Sequence, residues 1–82
     1  MLNPRVSLDQ WRAFIAVVEE GGFSRAAEQI HKTQSSVSYA VQKIEQLLDV
    51  NLFEKQGRKA VLTAAGKALY RRSKNLLERA DA

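Results

Sequence analysis

Residues 23–48 read FSRAAEQIHKTQSSVSYAVQKIEQLL, and no other stretch restricts the fold so strongly. Two amphipathic segments lie here with only Lys32 and Thr33 between them, which is a tight turn between helices. The first is expected to start at a Ser24 cap and to end near His31, with Ala26, Ala27 and Ile30 turned inward. Adjacent alanines let a neighbouring helix come close. The second starts after Thr33, a good N-cap. At about 100° per residue, Val37, Ala40, Val41, Ile44, Leu47 and Leu48 fall on one broad face. The opposite face collects Ser35, Ser38, Tyr39, Gln42 and Gln46, with Ser36 and Lys43 on its border. An ordinary surface helix carries Glu and Lys there. Small hydrogen-bonding groups instead suit a face that reads donors and acceptors.

The flanking segments complete a small fold. Ser7-Leu8-Asp9-Gln10 fits a capping box, and Leu8, Trp11, Ile15 and Val18 follow at helical spacing, widened by Phe14 and Val17. Gly21-Gly22 ends that helix, since glycine accepts the left-handed conformation of a C-terminal cap. Leu52-Phe53-Glu54-Lys55 and Ala60-Val61-Leu62-Thr63 read as two short strands around Gln56-Gly57-Arg58-Lys59, a hairpin with a basic tip. Thr63 then caps a last helix from about residue 64 onward. The expected fold is mostly α: a winged helix-turn-helix of three helices and a two-stranded wing over 1–63, followed by a long helix over 64–82.

In that last helix Ala65, Leu69, Leu76 and Ala80 sit near a 3.5-residue repeat, with Leu77 beside them. With little core left to cover, this stripe is expected to pair with a second chain, or to belong to a fragment of something longer. Leu69, Leu76 and Leu77 are the expected dimerisation residues.

Eighty-two residues make one domain with a single modest core. No apolar run approaches the roughly 18 residues of a membrane span, so no membrane partner is expected. The opening Met1-Leu-Asn-Pro-Arg shows no leader peptide, and a chain without cysteine has no disulfide or thiolate metal site. A cytoplasmic setting fits these features. The net charge of +4 is unevenly placed. Residues 1–54 carry five Lys/Arg against seven Asp/Glu, whereas residues 55–82 carry eight against two. That asymmetry fits either a polyanion partner or a solvated charged helix face.

Catalysis is not expected. There is no nucleophile-and-base pair, glycine-rich phosphate loop or carboxylate cluster, and Glu19-Glu20 point to different faces of their helix. His31 is the sole histidine and has no ligand-spaced partners, so neither a metal nor any other cofactor is expected.

The order and spacing of FSRAAEQ, TQSSVS and LFEKQGR…LTAAG carry a family resemblance. From residue 8 to about 77 the chain resembles the N-terminal DNA-binding region of LysR-type bacterial transcriptional regulators. The resemblance implies a winged helix-turn-helix whose linker helices pair to form a DNA-binding homodimer. It also implies a C-terminal effector domain, similar to periplasmic binding proteins, through which a small-molecule inducer acts. Residues 1–82 contain no such domain, and Ala82 is expected to be the boundary of a fragment. The resemblance places Gln34, Ser35, Ser38 and Tyr39 at base- and phosphate-contacting positions in the major groove. It places Arg58 at the wing position that reaches the minor groove or its flanking phosphates. Many relatives carry Arg where this chain has Tyr39, and a tyrosine lacks the guanidinium fork needed to grip guanine bidentately.

Read as residues alone, each position has a plainer alternative. Gln34 either pairs with adenine N6 and N7 or is a solvated first-turn side chain. Ser35, Ser36 and Ser38 either bind DNA or bond nearby backbone N–H groups. Thr33 is expected among the DNA-binding residues, at the helix N-terminus that offers donors to phosphate, and is otherwise only the cap of that helix. Tyr39 either touches a sugar or thymine methyl or flanks the core. Gln42 and Lys43 are expected on backbone phosphates. Arg58 and Lys59 are either wing contacts or a solvated turn, and Arg25 is either a phosphate contact or helix surface. The rival function is a winged-helix module that binds protein and reads no DNA.

Overall fold

The computed structural model describes residues 5–80, leaving out the side chain of Ala80. The opening Met1-Leu-Asn-Pro segment and the last two positions of the expected linker helix lie outside the described residues. The order of elements is α1 (Leu8–Glu20), α2 (Phe23–Gln29), α3 (Gln34–Leu48), β1 (Phe53–Gln56), β2 (Lys59–Leu62) and α4 (Ala64–Ala80).

Helix α1 begins where its sequence says it should. Ser7 Oγ accepts from Gln10 N–H at 3.1 Å, and Gln10 Oε1 accepts from Ser7 N–H at 3.0 Å. This reciprocal pair satisfies two otherwise free N–H groups. Trp11, Ala13, Phe14, Ile15, Ala16 and Val17 are buried, while Leu8, expected at the head of the stripe, remains 39% exposed. Gly21 ends the helix at φ +77°, its N–H donating to Val17 O.

The start of α2 departs from expectation. Ser24 is not its cap: the helix begins at Phe23 after Gly22, with no side-chain bond to its first N–H groups. The Phe23 ring meets Phe53 edge-on at 5.9 Å, which draws that residue into the first helical turn and leaves Ser24 exposed. The helix also closes earlier, at Gln29, because His31 takes the left-handed conformation with φ +58°. His31 N–H donates to Glu28 O and Lys32 N–H to Ala27 O, the paired bonds of a Schellman turn. A residue with a Cβ costs about 1–2 kcal/mol in that conformation. His31→Gly is therefore expected to raise stability by about 0.5–1 kcal/mol in a urea melt, after the added freedom of the unfolded glycine is deducted. A lower midpoint would mean that the imidazole contributes packing the turn needs.

Helix α3 crosses α1 and α2 through Val37, Ala40, Val41 and Ile44, all buried, while Leu47 and Leu48 pack on the edge of the core. Ala26 and Ala27 are buried in the α2 face, as their size requires for a close crossing. An aromatic chain ties the wing to this unit. Trp11 meets Phe14 at 6.1 Å and Phe14 meets Phe53 at 5.8 Å, both edge-on.

Strands β1 and β2 pair antiparallel with Gln56 opposite Lys59, so the turn is only Gly57-Arg58. Each strand is displaced by one residue towards the tip relative to the sequence expectation. Gly57 has φ +64° and Arg58 an ordinary negative φ, the signs of a type II′ turn, whose twist suits a hairpin. Leu52 and Thr63 are freed from the strands to do other work. Leu52 is fully buried, and its N–H donates to Glu45 Oε2 at 2.8 Å, fastening the wing root to α3.

Helix α4 covers more core than its sequence suggested. Gly66, Ser73 and Leu77 are buried, and Leu69 and Tyr70 pack against the core cluster. Leu77 is only 7% exposed within a single chain, so the side chain expected at a dimer interface is already used against the chain's own core. The stripe of Ala65, Leu69 and Leu76 lies on the adjoining flank, with Leu76 at 37% exposure.

Candidate nucleic-acid interface

Thr33 builds the start of α3. Its Oγ1 accepts from Ser36 N–H at 3.1 Å and lies 3.5 Å from Ser35 Oγ. Its carbonyl accepts from Val37 N–H. With Ser36 capped, the N–H groups of Gln34 and Ser35 have no acceptor among the described residues. Two donors and the positive end of the helix dipole thus face outward beside the side chains expected to touch a partner. Thr33 is itself exposed, and its hydroxyl serves the cap that presents this helix start.

Gln34, Ser35, Ser38, Tyr39 and Gln42 line one open concavity on the outer side of α3. Tyr39 is 62% exposed, which removes the alternative of a core flank. Ser38 and Lys43 are half-buried at the border of the face, and Gln34, Ser35, Ser36 and Gln42 are exposed. Arg25 on α2, together with Arg58 and Lys59 on the wing, is exposed. Arg58 occupies the turn itself, while Lys59 is the first residue of β2, paired with Gln56.

One neighbour escaped the sequence reading. Lys32 shares a second depression with Asp9, Gln10, Ser36 and Tyr39, between α1 and the start of α3. It reads in sequence as half of a turn; the Schellman geometry is what brings it beside Ser36 and Tyr39.

Thr63 organises the opposite end of the wing. Its hydroxyl donates to Asn51 O and accepts from Gly66 N–H at 3.0 Å, while its own N–H donates to Leu52 O at 3.0 Å. One residue therefore caps α4 and closes the hairpin. Gly66 sits directly over the Leu52 backbone: a Cβ there would lie 2.9 Å from Leu62 Cδ2 and closer still to Leu52 O.

Helices α1 and α4 are joined by a polar cluster. Glu19 Oε2 accepts from Tyr70 O–H at 2.8 Å and from Lys74 Nζ, and Lys74 Nζ lies 3.4 Å from the Tyr70 hydroxyl. The Lys74 ammonium bond, then that of the Tyr70 hydroxyl, lowers the Glu19 carboxyl below its usual range. Donation to Glu19 raises the Tyr70 hydroxyl, and the same carboxylate raises Lys74.

Among the described residues no group of three His, Cys, Asp or Glu is placed to hold a metal. No described helix is long and apolar enough to cross a membrane.

Three crossing helices, a β-hairpin after the third and an outward-facing α3 define a winged helix-turn-helix protein. Residues 8–67 match the model of the lysR family of bacterial regulatory helix-turn-helix proteins. The chain belongs to that family. An uncharacterized HTH-type transcriptional regulator of Azotobacter vinelandii is 46% identical over 72 residues, covering 88% of this chain and 50% of the relative. The chain thus spans half of that relative, and 21% of two other curated relatives. Among solved structures, the CbnR_DBD–DNA complex superposes with a TM-score of 0.84 at 36% identity, over 92% of this chain and 86% of that one. The BenM_DBD complex with catB site 1 DNA gives a TM-score of 0.86 at 33% identity, over 92% of this chain and 84% of that one.

Proposed function

We propose that this chain is the DNA-binding head of a LysR-type transcriptional regulator and reads double-stranded DNA with α3 in the major groove. The observation that carries this reading is the outer face of α3. There a free helix N-terminus, two glutamines, serines and an exposed tyrosine share one concavity. Such a face offers both phosphate anchorage and base-edge contacts. The family membership and the DNA complexes of CbnR_DBD and BenM_DBD support it.

Within this reading Gln34 and Ser38 read base edges, and Ser35, Ser36 and the first N–H groups of α3 hold phosphate. Tyr39 supplies an aromatic face and a hydroxyl, contacting a sugar or a thymine methyl. Gln42, Lys43 and Arg25 anchor the backbone, and Arg58 and Lys59 bring the wing towards the minor groove. Residues 64–82 act as a linker helix that pairs with a second copy through Leu69 and Leu76, giving two-fold-related half-sites. Leu77 supports that helix from within the chain. The regulator works in the cytoplasm, and any inducer acts through an effector domain outside residues 1–82.

Lys43→Ala separates anchorage from readout. It is expected to weaken all duplexes alike and to reduce the slope of log K against log salt by about one. An effect confined to one sequence would instead make Lys43 a base-reading residue.

A further inference from the structure

Glu19, Tyr70 and Lys74 are not among the residues that line the α3 concavity. Their cluster joins the last turn of α1, which packs on α3, to the middle of α4. An exposed ion pair of this kind adds little stability. It restrains orientation more than it adds stability, because hydrogen bonds are directional and the apolar contacts around them are not.

The base of α4 is fixed by Thr63 and by Gly66 against the Leu52 backbone. Farther along, Leu77 provides an apolar contact, and the Ser73 hydroxyl donates to Tyr70 O within the same helix. Glu19 therefore supplies a directional tie on one flank of α4, where Tyr70 and Lys74 follow one another by a helical turn. At about 100° per residue, Leu69 and Leu76 lie roughly 100–160° around the helix from those two side chains. The tie can be altered without touching the apolar stripe.

We propose that Glu19, Tyr70 and Lys74 are positioning residues that set the angle between α3 and α4. In doing so they set the half-site spacing that a dimer accepts. The spacing part rests on the DNA-binding reading above and on pairing through α4; the angle part does not. Seventeen residues make α4 about 25 Å long. A tilt of about 10° at its base moves the far end by about 4 Å, more than the ~3.4 Å between successive base pairs. A linker helix that tilts freely would place its two reading heads over several registers.

The test combines Glu19→Leu with Tyr70→Phe, which removes the acceptor and the hydroxyl while nearly keeping the side-chain volumes. Because the chain has no cysteine, Glu28→Cys and Arg79→Cys give two unique attachment sites on exposed positions of α2 and α4. Spin labels there report the angle as a distance distribution, with no DNA present. The doubly substituted protein is expected to keep a cooperative melt and to show a broadened distribution. In parallel, duplexes carrying the selected half-site once, or twice at spacings stepped by one base pair, are titrated by anisotropy. The wild type is expected to prefer one spacing over its neighbours by at least about fivefold. The variant is expected to lose most of that preference while binding a single half-site within about twofold of wild type.

An unchanged distance distribution, or a spacing profile that superposes on the wild type, would overturn the proposal. A parallel loss at every spacing and at the single half-site would also overturn it, leaving a merely structural role. If the wild type bound no duplex, the DNA reading would fail and the spacing claim with it. The label distances would still decide the angle.

Discussion

Gly66→Ala is expected to lower the stability of this domain by about 3 kcal/mol or more, enough to leave a protein of this size largely unfolded on mild warming. In an ordinary helix the same change is stabilising by about 1 kcal/mol, since alanine is the better helix former. The sign is reversed here because an added methyl would drive into the Leu52 carbonyl and the Leu62 side chain. Backbone cannot yield as a flexible side-chain tip does. Relief would require lifting the first turn of α4, which breaks the bond from Gly66 N–H to Thr63 and withdraws Leu77 from the core. A urea melt followed by circular dichroism measures the effect, with Ala65→Gly as the propensity control. A higher midpoint for Gly66→Ala would mean that α4 does not rest on the wing root.

Gln34→Ala is expected to change which sequences are bound more than how tightly DNA as a whole is bound. A bidentate side chain on a base edge is worth about 1–3 kcal/mol of discrimination, or roughly 5–150-fold between right and wrong bases. Gln34 is the first residue of α3, exposed and next to the free helix N-terminus. Its loss leaves the backbone anchors in place, so random duplex should still bind. Site selection with the variant should return an unrestricted base at the position Gln34 reads. An unchanged selected sequence would remove Gln34 from the readout and leave Ser38 and Tyr39 to carry it.

What could be read in the sequence follows from where each determinant lies along the chain. The Ser7–Gln10 capping box, the Thr33 cap, the buried face of α3 and the hairpin all depend on residues within a few positions of one another. Local rules suffice for them. The misplaced features are long-range. Ser24 lost the role of cap to a start set by Phe23 against Phe53, which no local pattern shows. Leu77 belongs to the core because α4 folds back on α1, although periodicity alone put it beside an outward stripe. Gly66 looks like a helix-weakening residue until the Leu52 carbonyl arrives above it. Glu19 meets Tyr70 and Lys74 across 51 and 55 residues.

The candidate site was more legible than the packing. A binding face must stay polar while its helix is otherwise amphipathic, and that contrast is written within fifteen consecutive residues of α3. Its exposed tyrosine was identifiable by angle, and the structure leaves it uncovered. Lys32 was missed because its closeness to Tyr39 arises from the left-handed turn at His31, a conformation that histidine does not advertise.

The central claim is that the outer face of α3 and the basic wing engage duplex DNA. Fluorescence anisotropy of a labelled random-sequence duplex, titrated at several salt concentrations, tests it most directly. Affinity is expected to fall along a straight line in log K against log salt, with a slope near 0.9 per phosphate neutralised. Gln34→Ala should stay on the wild-type line, and Lys43→Ala should fall on a shallower one. A folded protein that binds no duplex even at low salt would contradict the account and point to the surface of a protein-binding winged helix.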